Sequence, residues 1–392
     1  MHFGLNENQV ILRDSAREFF AGECPMAFVR RAAESATAFD PQLWTKLAAQ
    51  GYPGIIVDET DGGVGLGIVE LVLLMEEAGR ALLPGPLFAT VAMAGAVLDA
   101  CANRAHKQQF VAPIAHGDAR STLAFVEATS GWDRAALRLT ATNGRLSGEK
   151  LFVPDAGVAN TIVVVARDGV YVVDAKAPGV SITPMAGMDL TRKLYAVSLA
   201  EVTAEKLDAV AGLDRALDIA TTALSAEMVG GMQRMLDMTV DYAKTRKQFG
   251  KPIGSFQAVQ HQCADMYLET ESARSAVYYA ALALQERAAD ASAAVSIAKL
   301  YASDACRTVG NRAIQIHGGM GFTWENDLHL YYRRAKASET MLGDATFHRE
   351  RLARLVVDAG REARGNGLGR QEGRDGQDEP RRTGATSAMR SS

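Results

Sequence analysis

The chain is predicted to be an α+β protein with a helical part, a small antiparallel β-part and a second helical part in that order. Three observations carry this expectation. Apolar residues recur every three or four positions over residues 6–116. Short alternating β-like runs follow, separated by Asn143-Gly144, Asp168-Gly169 and Pro178-Gly179, and long amphipathic stretches return from residue 214. The periods of 3.6 and 2 distinguish the two kinds of element.

In the first part the helical spacing is read from Val10, Leu12, Ala16, Phe19 and Phe20, then Leu43 and Leu47, then Ile68, Leu71, Leu74, Met75 and Ala78. The stretch Thr60-Asp61-Gly62-Gly63-Val64-Gly65-Leu66-Gly67 precedes the helix with Glu76, Glu77 and Arg80. It lacks the Gly-Lys-Ser/Thr of a phosphate loop and is read as a turn. Strands are expected at 122–126, 137–140, 151–153, 161–165, 169–173 and 195–199, where β-branched residues gather between turn signals. Helices are expected over 223–246, 258–288, 291–317 and 344–363. The resulting divisions are a helical domain at 1–117, a β-domain at 118–213 and a four-helix bundle at 214–364, with long helices suited to packing against other copies. Residues 365–392 carry almost no apolar side chains and are expected to be disordered.

With 392 residues, 48% of them hydrophobic, the chain can bury a sizeable core. Its formal net charge of -4 gives no electrostatic reason to expect nucleic acid or an anionic membrane. Cys24, Cys101, Cys263 and Cys306 are scattered, without Cys-x-x-Cys spacing, which argues against a disulfide scaffold and against a metal site. The first residues carry acidic and amide side chains where a signal peptide would be basic, and no segment reaches bilayer length. A cytoplasmic protein is expected.

Chemistry is concentrated late in the chain. Tyr242-Ala-x-x-Arg246-x-x-Phe249-Gly250-x-Pro252-Ile253 is followed by Gln257, and then by Gln315-Ile-x-Gly318-Gly319-x-Gly321-Phe322. An arginine makes charge-assisted contacts to phosphate, and glycine lets a backbone approach it. His317 sits alone at a helix end, where a histidine packs or meets the dipole, and is given no chemistry. These two runs, with the order of the parts, resemble the acyl-CoA dehydrogenase family over residues 5–364. The resemblance implies an FAD-dependent dehydrogenation of an acyl-CoA thioester. It also implies that Arg246, Phe249, Gln257, Gln315, Gly318 and Gly319 reach across a subunit interface to hold the pyrophosphate and adenine end of a neighbour's FAD. A tetramer built as a dimer of dimers and an electron-transfer flavoprotein as acceptor are further implications.

Elsewhere the family's patterns are altered. Its Thr-Glu-Pro-x-Ala-Gly-Ser-Asp segment becomes Val126-Glu127-Ala128-Thr129-Ser130-Gly131-Trp132-Asp133, and Lys-x-Trp-Ile-Thr becomes Lys150-Leu151-Phe152-Val153-Pro154. The family's base is a glutamate in Tyr-Glu-Gly-Thr, and here the segment reads Met341-Leu342-Gly343-Asp344. The alternative seat on the earlier helix is Ala220, while Asp218 and Glu227 fall at neither position. Asp344 is thus the nearest acidic substitute, with a second reading as N-cap of the last helix or as a contact to the cofactor ribose. The combination resembles subunits of the heterotetrameric actinobacterial dehydrogenases of steroid side-chain breakdown, in which a related partner subunit supplies the glutamate. A homo-oligomeric dehydrogenase using Asp344, a flavin-dependent monooxygenase on the same fold, and a structural subunit without its own flavin are the other readings.

Overall fold

A helix start at Asn6 sets the entry to the fold: its side chain accepts from the Gln9 N–H while Gln9 Oε1 accepts from the Asn6 N–H, a reciprocal cap. The structure, a computed structural model, describes residues 4–358. The tail expected at 365–392 and the last residues of the helix expected over 344–363 lie outside the described residues. The N-terminal part comprises α1 (Glu7–Glu23), α2 (Met26–Glu34), α3 (Pro41–Ala49) and α4 (Ile68–Arg80). A π-helical segment, Phe88–Gly95, then runs into α5 (Ala96–Cys101), and the short turns α6 (Arg104–His106) and α7 (Ala112–Ala115) close the part.

The middle holds β1 (Ser121–Ala124), β2 (Ala141–Thr142), β3 (Arg145–Pro154), β4 (Thr161–Ala166), β5 (Gly169–Asp174), β6 (Val180–Met185), β7 (Leu194–Thr203) and β8 (Glu205–Lys206). They form two four-stranded sheets, in the orders β1-β4-β5-β8 and β2-β3-β7-β6. One pairing departs from the antiparallel expectation: β1 runs parallel to β4, Leu123 opposite Val163. The chain leaves β1, passes through the other sheet and returns, and so long a connection allows a parallel neighbour. The strand expected at 137–140 does not form, because the Leu139 N–H is taken by the Glu127 carboxylate rather than by a ladder.

β4 explains its own continuous apolar run. Ile162 and Val164 point into a core between the two sheets with Leu146, Val197 and Leu199, whereas Val163 and Val165 join the large helical core. Successive side chains face opposite ways, so a strand with cores on both sides has no polar face.

The C-terminal part comprises α8 (Leu213–Thr245), a hairpin of β9 (Lys247–Gln248) and β10 (Lys251–Pro252), α9 (Gln257–Gln285), α10 (Ala291–His317), α11 (Leu328–Thr340) and α12 (Ala345–Ala353). α8 begins ten residues before the expected 223, and α11 was not expected from the spacing. Helix α4 packs along α8 and α9, so one hydrophobic core runs from Ala16 to Leu342 through both helical parts. Among the described residues no helix is long and apolar enough to cross a membrane, and no cluster of three or more His, Cys, Asp or Glu is placed to hold a metal.

Candidate active site

Two places gather the residues singled out in the sequence. The first is the end of the bundle where α8 and α10 stop. Tyr242 and His317 stack there with ring centroids 4.4 Å apart and planes 20° apart, and His317 Nδ1 lies 2.9 Å from Ala313 O. This stack aligns the two helix ends, so that Arg246, just past α8, and Gly318, just past α10, emerge at the same end. The intervening hairpin turns through Phe249 at φ 52° and Gly250 at φ 80°, the two left-handed residues that a tight β-hairpin requires. Phe249 is thrust out with 92% of its surface exposed, edge-on to Phe256 at 6.2 Å.

Arg246, Gln257 and Gln315 are exposed, and Arg246 makes no ion pair among the described residues. Gly318 ends α10 at φ 59°, and neither it nor Gly319 has any atom within 4 Å of where a Cβ would stand. An unpaired guanidinium beside open backbone is chemically suited to a bound polyanion.

The second place is a cavity of about 190 Å³ between the β-part and the ends of α8, α11 and α12. Its walls include Phe125, Trp132, Asp218, Leu342, His348 and Arg351. Leu342 is 4% exposed and stands at φ 59°, followed by Gly343 at φ 96°. At Gly343 a Cβ would come within 2.3 Å of the Phe347 ring, so no other residue fits this turn unaltered. The turn is held from below: Lys299 Nζ lies 3.0 Å from Gly343 O, from Glu339 O and from Ser303 Oγ. Burial pushes the Lys299 ammonium down to about 7. His348 Nε2 donates to Leu342 O at 2.9 Å, and burial with the nearby Lys299 pushes this imidazole down to about 4, keeping it neutral.

Asp344 is the N-cap of α12, its Oδ1 accepting from the Phe347 N–H at 2.8 Å. Ala220 is fully buried in the helical core. Neither Leu342 nor Ala220 presents a carboxylate to the cavity, and the Asp344 carboxylate is engaged in the cap.

Comparison with known proteins decides the family. The description "Acyl-CoA dehydrogenase, N-terminal domain" matches residues 6–118, and "Acyl-CoA dehydrogenase, C-terminal domain" matches residues 213–357. Acyl-CoA dehydrogenase IpdE2 of Mycolicibacterium smegmatis is 31% identical over 356 residues, covering 90% of this chain and 99% of the relative. The chain belongs to the acyl-CoA dehydrogenase family. IpdE2 of Mycobacterium tuberculosis is 33% identical, covering 89% of this chain and 96% of the relative. Among solved structures, this acyl-CoA dehydrogenase is similar to a variant of the Tcur3481-Tcur3483 steroid ACAD, with 33% identity, a TM-score of 0.83, and coverage of 90% and 99%. It is also similar to the ChsE4-ChsE5 complex of Mycobacterium tuberculosis, with 27% identity, a TM-score of 0.84, and coverage of 91% and 99%. It is an oxidoreductase of a flavoprotein family whose cofactor is FAD.

The dehydrogenase's two places differ in how they fit that cofactor. The exposed Arg246, the open Gly318-Gly319 backbone and the projecting Phe249 ring fit its anionic and aromatic adenosine-diphosphate end. The Leu342 cavity does not fit the flavin ring. Trp132 stacks on Phe125 at 5.2 Å and 25° inside it, and its volume lies below the roughly 300 Å³ at which ligand sites begin. Two of the polar residues kept from the ring-facing segments, Glu127 and Lys150, are engaged with each other: the buried Lys150 donates to Glu127 Oε1 at 2.7 Å and to Phe125 O at 2.9 Å. Phe152, where the family carries an indole, sits at φ 55° beside a register shift between β3 and β7 and is 49% exposed.

Asp218 is the residue that sequence reasoning set aside and the fold brings in. It lines the Leu342 cavity, with Oδ1 2.7 Å from Arg351 Nη2 and Oδ2 accepting from Ser292 Oγ at 2.6 Å. Burial raises its carboxyl despite the Arg351 charge. The spacing of Asp214, Leu217, Asp218 and Thr221 places all four on one face of α8, a signal available before the structure. Glu227 instead belongs to a buried network with Arg192 at 2.5 Å and with Arg334, which also binds Asp189. Burial alone would raise the Glu227 carboxyl, but Arg192 and Arg334 hold it below its ordinary range.

Proposed function

We propose that this chain is a non-equivalent subunit of a heteromeric acyl-CoA dehydrogenase, catalytically incomplete alone and paired with a related subunit that carries the glutamate and the flavin-ring pocket. The observation that carries the reading is Leu342, buried and apolar at the seat of the base, together with an Asp344 engaged in capping α12. Bound FAD would supply the acceptor for the β hydride, and a carboxylate is needed to take the α proton. Leu342 can take no proton. On this reading Arg246 binds the pyrophosphate of the partner's FAD, Phe249 covers its adenine, and Gln257, Gln315, Gly318 and Gly319 complete the clamp. The substrate is an acyl-CoA thioester of the steroid side-chain type, a reading supported by the similar Tcur3481-Tcur3483 steroid ACAD, and the pairing of unlike chains is supported by its double name and by the ChsE4-ChsE5 complex. An electron-transferring flavoprotein accepts the electrons.

Expression of the chain with and without its partner tests this. Alone, it should turn over acyl-CoA slower by ~10²–10⁴-fold, the usual contribution of a positioned base. With the partner, about one FAD per pair of chains should be retained. A homotetramer of this chain with one FAD per subunit and ordinary turnover, abolished by Asp344→Asn, would overturn the proposal and make Asp344 the base.

A further inference from the structure

Thirteen residues along α8 from Thr221, about 20 Å at the helical rise, Arg234 faces a different cleft. It has a volume of about 400 Å³ and lies where α1, α2, α4, α8 and α11 meet. Its floor is largely apolar, with Phe20, Ala21, Cys24, Met26 and the Tyr331 ring, and its charged residues are Arg17, Glu77, Arg80 and Arg234. Three of these four are neutralised. Arg17 binds Glu77 through two nitrogens, at 2.6 and 3.0 Å, and Arg80 Nη2 lies 2.6 Å from Asp237 Oδ2.

Arg234 is the exception. Half-buried, it makes no ion pair among the described residues. Its contact is the Tyr331 hydroxyl, which is itself fixed by donating to Arg80 O at 2.9 Å. A planar guanidinium in the cleft wall with one neutral partner leaves most of its donors without a charged acceptor. The Cys24 thiol is pushed up to about 12 by burial, so it supplies neither a counter-charge nor a nucleophile.

We propose that this cleft binds a small amphipathic carboxylate, its carboxylate bidentate on Arg234 and its alkyl tail over Phe20, Ala21, Cys24 and Met26. The volume falls within the range of small-molecule sites, and the chemistry is that of such sites, an apolar wall with one fixed polar anchor. A carboxylate matches the guanidinium fork better than a halide or an alcohol does. The site is separate from the Leu342 cavity and does not depend on the subunit assignment above.

The test is calorimetric titration of the full chain with straight-chain carboxylates from acetate to octanoate, and with the matching alcohols. Saturable binding is expected, tightening about fourfold for each added methylene until the cleft is filled. The alcohols should bind at least tenfold more weakly. Arg234→Gln should cost tenfold or more, and Arg234→Lys less. Ala21 is exposed at the mouth, so Ala21→Trp should block the cleft without disturbing the core. Lys176→Gln, on the β-part, should change nothing. The proposal is overturned if octanoate shows no saturable binding, if binding survives both Arg234→Gln and Ala21→Trp in variants that melt like the parent chain, or if the alcohols bind equally well.

Discussion

The Lys299 ammonium lies 3.0 Å from the carbonyl oxygen of Gly343, and through it α10 holds the turn that carries Leu342. Two consecutive left-handed residues, one of them leucine, are a strained arrangement that needs outside support. Lys299→Met keeps the chain length and removes three donors, leaving Gly343 O and Glu339 O without this buried partner. A loss of stability on the order of 3 kcal/mol is expected in chemical denaturation. A loss below about 0.5 kcal/mol would show that the turn holds itself.

Asp155 gives the stability a pH dependence of its own. It is fully buried at the end of β3, neither of its carboxyl oxygens has a hydrogen-bond partner, and burial pushes its pKa up to about 7 against the pull of Arg192 and Arg334. The unfolded value is about 3.9. Between the two, the folded chain holds a proton that the unfolded chain has lost, so this group's contribution to stability falls as pH rises from about 4 to about 7 and is level above that. Asp155→Asn stays neutral, and asparagine accepts the φ of 54°. The melting temperature of the variant should therefore gain on that of the parent chain across this window. A constant difference from about pH 4 to about pH 7.5 would refute the assignment.

Asp344 separates two roles by size of effect. As the N-cap of α12 its replacement by alanine should cost ~0.5–2 kcal/mol in stability. Turnover of the assembled enzyme should then change by less than about tenfold. A fall of ~10²–10⁴ with unchanged stability would instead mark a base.

For the clamp, Arg246→Ala should weaken FAD retention by ~1.5–3 kcal/mol, the value of a charged hydrogen bond. Flavin content after extensive dialysis of the assembled protein measures it. Because Arg246 is exposed and makes no ion pair among the described residues, the melting temperature of the isolated chain should not move. Full flavin retention in the variant would remove Arg246 from the clamp.

Much was legible in the residues alone, because local patterns carry it. Periodic apolar positions placed α4, α9 and α10, and the turn pairs at Asn143-Gly144 and Asp168-Gly169 marked hairpins that do form, between β2 and β3 and between β4 and β5. The motifs around Arg246 and Gly318 named the family, since their residue types and order are local properties of the chain. α11 was hidden because one of its inward positions is Arg334. That charge is tolerated inside only because Asp189 and Glu227, each over a hundred residues away, meet it there.

What only the tertiary structure decided are the relations between distant segments. The parallel pairing of β1 with β4, the arrival of Asp218 beside Leu342, the stacking of Trp132 on Phe125 within the same cavity, and the placing of Arg234 in a cleft among residues that do form ion pairs all depend on where separate elements come to rest. Sequence determined the identities and the local periods of this protein. Which carboxylate faces a cavity, which one caps a helix and which charge lacks a partner are consequences of packing, because burial and pairing are properties of neighbours in space rather than along the chain.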